Sequence, residues 1–185
     1  MQDLSLHILD IAQNCVRAKA SEVTIELEEY PSKNQLTLRI VDNGCGMPIE
    51  LASEVTNPFV TTRTLRKVGL GLPLLRQNCE LCDGKLEIES VVGEGTTVTA
   101  IMAYNHIDRV PLGDIASTLI TLIQGAPKIN FVYLHSFEQN TFRFCTAETQ
   151  TMLEDVSIQN LEILNWLKMY LNEQIDAIRD NSDKE

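Results

Sequence analysis

The chain has 185 residues, 44% hydrophobic and 22% charged, a composition that fits a soluble globular domain of ordinary size plus an extension. Its net charge of −11 disfavours nucleic acid and anionic lipid as partners, so any anionic ligand must meet a local positive field. Five cysteines at irregular spacing make no disulfide framework, no apolar run nears the roughly 20 residues of a membrane helix, and there is no signal-peptide layout, so a cytoplasmic location is expected.

Residues 3–20 are predicted as a helix, with Leu4, Ile8, Ile11, Ala12, Cys15 and Val16 at helical spacing. Residues 23–29 alternate apolar and polar as a strand does, 30–34 (YPSKN) form a turn cluster, and 36–41 alternate again before the break at Asp42-Asn43-Gly44-Cys45-Gly46. Residues 56–68 lack a period and are expected to be loop. A helix is predicted over 69–82, entered through glycines and ended by Asp83-Gly84. Strands follow at 86–92 and 96–103, joined by the Gly93-Glu94-Gly95 turn. This order predicts an α+β fold, a two-layer sandwich with helices on one face of a mixed sheet.

Residues 1–104 are taken as this domain and 105–185 as a C-terminal α/β extension. The extension is expected to hold a helix over 112–124, a hairpin of 129–135 and 141–145 around Gln139-Asn140, and a long amphipathic helix over 157–179. The stripe of that last helix (Ile158, Leu161, Leu164, Leu167, Leu171, Ile175, Ile178) is too wide to leave in water. It is expected to pack on its own chain, with a homodimer as the alternative. The tail from Asp180 is charged and expected to fray.

Four clusters carry candidate chemistry, each with a bland counterpart. His7, Asp10, Asn14 and Arg17 share one helix face, where Asp10 and Asn14 could offer oxygens to Mg²⁺ or its water; the bland reading is a solvated face. Asp42 ends a strand beside Gly44, Gly46 and Met47, where a carboxylate can accept from an exocyclic amine and glycines admit a flat ring; otherwise this is an Asn-Gly turn. Lys67, Gly69 and Gly71 open a helix, with Arg63 and Arg66 nearby, and could meet phosphates without forming a Walker loop. Gly95-Thr96-Thr97 enters the last strand, as a hairpin turn would. Cys79-x-x-Cys82 has no second pair to complete a zinc site and reads as core; His106 and His135 read as structural.

In order, spacing and placement these clusters resemble the four boxes of the GHKL superfamily, which includes gyrase-type ATPases, heat-shock chaperones, histidine kinases and MutL-type repair ATPases. The resemblance covers about residues 4–103: an N box from Asp10 to Asn14, glycine boxes at Asp42-x-Gly44-x-Gly46 and Gly69-Leu70-Gly71-Leu72, and a closing box at Gly95-Thr96-Thr97-Val98. It implies the Bergerat fold and binding of ATP or ADP with Mg²⁺. It implies that Asn14 holds the metal, that Asp42 reads the adenine amine helped by Thr96 through water, and that Gly46 lies against the ring. It further implies that Gly69 and Gly71 meet the phosphates, that Lys67 lies near the transferred phosphate, and that Asp10 stands where relatives place a general base. The nucleotide pocket so implied also includes Gly44, Met47, Thr61, Thr62, Arg63, Leu70 and Leu72.

The segment 58–71 (PFVTTRTLRKVGLG) resembles the lid of anti-sigma-factor serine kinases, with Lys67 where those carry Arg, and Gly71-Leu72-Pro73-Leu74-Leu75-Arg76 is similar to mitochondrial dehydrogenase kinases. The chain begins close to the N box and His7 lies inside the nucleotide helix, so a phosphoacceptor is expected on a partner protein. The function expected from the resemblance is a stand-alone regulatory kinase that phosphorylates Ser, Thr or His of that partner, with Asp10 and Lys67 at the chemistry. The alternatives are a slow ATPase acting as a binding switch and a non-catalytic nucleotide-binding module.

Overall fold

The computed structural model describes residues 2–54 and 71–180. The expected loop at 56–68 and the tail beyond Asp180 lie outside the described residues, as do Thr61, Thr62, Arg63, Lys67, Gly69 and Leu70.

The first helix, α1 (Leu4–Arg17), is shorter than the predicted 3–20. Asp3 caps it, its carboxylate accepting the Leu6 N–H at 3.0 Å. At the other end Lys19 turns left-handed (φ +59°) and brings the chain into β1 (Glu22–Tyr30). One 3₁₀ turn, Pro31–Lys33, links β1 to β2 (Gln35–Asp42). A short helix not foreseen, α2 (Ile49–Glu54), precedes the undescribed segment; after it come α3 (Gly71–Leu81), β3 (Lys85–Val91) and β4 (Gly95–Ala103).

The chain continues through α4 (Ile115–Gly125), β5 (Asn130–Phe137), β6 (Asn140–Cys145), a second unforeseen helix α5 (Thr146–Met152) and α6 (Leu161–Asp180). The hairpin turn falls at Glu138-Gln139, one residue earlier than expected. Glu138 takes φ +50° while its carboxylate accepts both the N–H and the hydroxyl of Ser32, at 2.7 and 2.8 Å. Residues 157–160 are a turn rather than helix, and Leu161, at the start of α6, is 68% exposed instead of buried.

The six strands among the described residues form one mixed sheet in the order β3-β4-β2-β1-β5-β6, with β1 and β5 parallel and every other pair antiparallel. Strand alternation sends Val23, Ile25 and Leu27, and Leu36, Leu38 and Ile40, to the face that the helices cover. Each such side chain, fully buried, contributes about 1.5–3 kcal/mol. The stripe of α6 packs on its own chain: Leu164, Leu167, Leu171, Ile175 and Ile178 are buried against α4, β5 and β6.

A buried polar cluster sits under the end of α6. Glu29 and His135 are at most 1% exposed, and Glu29 Oε1 accepts from His135 Nε2 at 2.8 Å and from Arg179 at 2.6 Å. With the His135 proton on Nε2, Nδ1 accepts from the Tyr133 hydroxyl at 2.9 Å. Burial alone would raise the Glu29 carboxyl, but the bonds from His135 and Arg179 outweigh it and hold the group below its ordinary value.

Candidate nucleotide site

The polar face of α1 meets the start of α3. His7 is fully buried, and its Nε2 accepts from the Asn78 side chain of α3 at 3.0 Å. Burial pushes its pKa down, against a smaller upward push from the Gly71 backbone. At Gly71 a Cβ would lie 2.0 Å from Asp10 Oδ2, so any side chain there would have to push the carboxylate aside. The first turn of α3 is therefore pressed directly on the Asp10 carboxylate. One turn further along, Asn14 Oδ1 accepts from Arg17 at 2.9 Å.

Two buried polar atoms on this face, Asp10 Oδ2 and Asn14 Nδ2, have no hydrogen-bond partner among the described residues. Leu72, by contrast, is 5% exposed and points into the hydrophobic core.

The second cluster is the loop after β2. Asp42 is 9% exposed, and its Oδ1 accepts the Gly44 N–H at 2.8 Å. Asn43 pins the loop to the start of β1, its Oδ1 accepting the N–H groups of Ser21 and Glu22 at 2.9 and 3.0 Å. Cys45 N–H donates to the Ala18 carbonyl, and its own carbonyl accepts from Gly93, both at 2.9 Å. Gly46 (φ +61°) is required twice over, since a Cβ there would meet the Val91 carbonyl oxygen at 2.0 Å. Gly95 (φ +128°) is likewise pressed on the Asp42 carbonyl oxygen, 1.9 Å from its notional Cβ.

Sheet register sets Asp42 on β2 opposite Thr96 on β4, and Thr96 opposite Ser90 on β3. The half-buried Met47 closes the loop, its N–H donating to Ser90 Oγ at 2.9 Å. The two clusters meet at α1: Cys15 lies against Asp42, and burial, with the carboxylate adding to it, pushes that thiol well above its ordinary range.

The arrangement thus brings Asp10, Asn14 and Gly71 together on one side and Asp42, Gly44, Gly46, Met47 and Thr96 on the other. Ser90 and Asn78, the partner of His7, were not singled out in the sequence. Ser90 has a faint signal, as an inward-phase polar residue ending the alternation of Leu86 and Ile88. Cys79 and Cys82 are fully buried, and burial pushes the Cys79 thiol up to about 12. Among the described residues no group of three His, Cys, Asp or Glu side chains could hold a metal, and no helix is long and apolar enough to cross a membrane.

A family model described as histidine kinase-, DNA gyrase B-, and HSP90-like ATPase matches residues 2–105, more than half of the chain. The chain belongs to this ATPase family. It carries the ATP-binding domain typical of histidine kinases, the GHKL assignment that the motifs implied. This chain is 32% identical over 99 residues to the signal transduction histidine-protein kinase AtoS of Escherichia coli, covering 53% of this chain and 16% of AtoS. It is 28% identical over 171 residues to the peroxide stress-activated histidine kinase mak2 of Schizosaccharomyces pombe, covering 84% of this chain and 7% of mak2. The chain thus spans less than a fifth of either relative. The crystal structure of the N-terminal domain of a DNA repair protein shares the fold at TM-score 0.50 and 15% identity, over 79% of this chain and 52% of that one.

Proposed function

We propose that this chain binds ATP with Mg²⁺ and transfers the γ-phosphate to a Ser, Thr or His of a partner protein. The observation that carries the reading is the Asp10 carboxylate, with a buried oxygen that has no partner among the described residues, pressed on the first residue of α3 and one turn from Asn14. The base end of the pocket is supplied by Asp42, an acceptor suited to an exocyclic amine, with Gly46 and Gly95 leaving backbone room for a flat ring. At the phosphate end the N-terminus of α3 would offer main-chain N–H groups and the positive end of its dipole to negative charge. Asn14 Oδ1 is the oxygen suited to a hard cation, and taking that role requires the Arg17 guanidinium to share or release it. A bound Mg²⁺ would supply charge neutralisation along the phosphates. Asp10 would take the proton of the attacking hydroxyl, imidazole or water. Lys67 is assigned the transferred phosphate by resemblance alone.

A phosphoacceptor on another chain fits the burial of His7 and His135, both fully enclosed. The proposed partner is therefore a protein, and a homodimer is the alternative; no nucleic acid or membrane is proposed, and the setting is cytoplasmic. A second reading, an ATPase acting as a switch, is favoured by the way the extension is joined to the domain: β5 is hydrogen-bonded directly to β1, and α4 packs on the nucleotide helix α1.

Asp10→Asn separates these readings from simple binding. The variant should hold ATP within about threefold of the natural chain yet lose phosphate transfer and release by about a hundredfold or more. Following γ-labelled ATP shows whether label reaches protein, as the kinase reading expects, or only solution, as the switch expects. Unchanged turnover in the variant would leave binding alone.

Chemical footprinting gives an independent check on location. Cys45, between the two glycines of the Asp42 loop, is exposed, and the other four cysteines are buried. Iodoacetamide should label Cys45 alone in the folded chain, and Mg·ATP should slow that labelling. Equal rates with and without nucleotide would place the ligand elsewhere.

A further inference from the structure

Ser90 belongs to none of the nucleotide motifs, yet it is bonded to two of them. It receives the Met47 N–H at 2.9 Å, gives its hydroxyl proton to the Gly95 carbonyl at 3.0 Å, and lies 2.9 Å from Thr96 Oγ1. Asp42, Thr96 and Ser90 face one another across β2, β4 and β3, on the face of the sheet that the helices cover.

The direction of the Ser90–Thr96 bond follows from counting. A serine hydroxyl has one proton and two lone pairs. A backbone N–H can only donate and a carbonyl can only accept, so the Ser90 proton goes to Gly95 and one lone pair goes to Met47. The remaining lone pair can be met only by a proton from Thr96. Thr96 is therefore the donor of that bond, and what its oxygen offers elsewhere is lone pairs. Asp42, directly opposite, is also an acceptor when ionised. The end of this row presents acceptors and no side-chain donor.

We propose that Ser90 is a specificity-determining positioning residue. By drawing the Thr96 proton away from the base, it makes the pocket prefer a purine with an amino group at C6 over one with a carbonyl there. This rests on the nucleotide reading above. A 6-amino group brings N–H donors to the two acceptors, directly or through a water. A 6-oxo group sets lone pairs against lone pairs and leaves buried groups unpaired, which is the strong form of discrimination. Without Ser90 the Thr96 hydroxyl is free to turn and donate, and the carbonyl is tolerated.

The test is calorimetric titration of the full chain with Mg·ATP and with Mg·inosine triphosphate, which carries a 6-oxo group. The natural chain should prefer ATP, and in Ser90→Ala that preference should fall about tenfold, ATP binding more weakly and inosine triphosphate no more weakly. Ser90→Thr keeps the hydroxyl on a residue suited to a strand and should keep the preference. Should Ser90→Ala fail to fold, Ser90→Cys keeps the volume with a poor hydrogen-bonding group and should show the same loss. A merely structural role would weaken both nucleotides by one factor, and an unchanged preference in Ser90→Ala overturns the inference. So does loss of preference in Ser90→Thr. If the natural chain binds neither nucleotide, the nucleotide reading itself fails and the role of Ser90 fails with it.

Discussion

Replacing Arg179 by alanine should destabilise the chain by about 3 kcal/mol, or about 6–12 °C in thermal midpoint for a chain of this size. The cause is the carboxylate left behind. Glu29 is 1% exposed and cannot reach water, so losing the guanidinium at 2.6 Å leaves a buried carboxylate without its counter-charge, held by the His135 Nε2 hydrogen bond at 2.8 Å. The double variant Glu29→Gln with Arg179→Ala should recover part of the loss, because a neutral amide costs less to bury than an unpaired charge. The pH dependence has a definite sign. The folded-state pKa of Glu29 lies below its ordinary 4.5, so the cluster's contribution is complete above that value and is lost as pH falls through the lower one. Thermal melts of the natural chain and Arg179→Ala should therefore converge under acid. Equal midpoints at neutral pH would show that the pair contributes nothing.

Asp42→Asn should weaken ATP binding by about 1.5–3 kcal/mol, ten- to a hundredfold. The substitution is discriminating because asparagine retains an oxygen able to accept the Gly44 N–H, so the loop geometry survives while the charge and one acceptor are lost. Calorimetry of the two chains side by side measures the difference directly. Equal affinities would remove Asp42 from the base-reading role and leave the fold assignment standing alone.

Most of the fold was legible because one face of the sheet is buried and the other is not. The alternation through Val23, Ile25 and Leu27, and through Leu36, Leu38 and Ile40, is the direct trace of that asymmetry. What stayed hidden has identifiable causes. Six residues of α2 and seven of α5 are too few to establish a helical period. The α6 boundary moved because Asn160 Oδ1 accepts the Glu162 N–H at 2.9 Å, so 157–160 cap the helix instead of extending it. At the site, the glycines announced themselves by spacing, and the contacts of Gly46, Gly71 and Gly95 supply the steric reason for each. Ser90 and Asn78 could not be read in the same way. Their roles depend on which residue stands across a strand pair or on a neighbouring helix, and no local pattern records that.

The parallel pairing of β1 with β5 has a consequence for how the chain may be cut. Residues 22–29 find their partners at 130–137, across more than half of the polypeptide, and the match to the ATPase family ends at 105. A fragment trimmed to that match would leave one margin of β1 with unsatisfied main-chain groups along its whole length, the kind of open template on which chains adhere to one another. On the ribosome the same margin stays open until residues 130–137 have emerged, so the nucleotide-binding part depends for its completion on residues outside the motifs that define it.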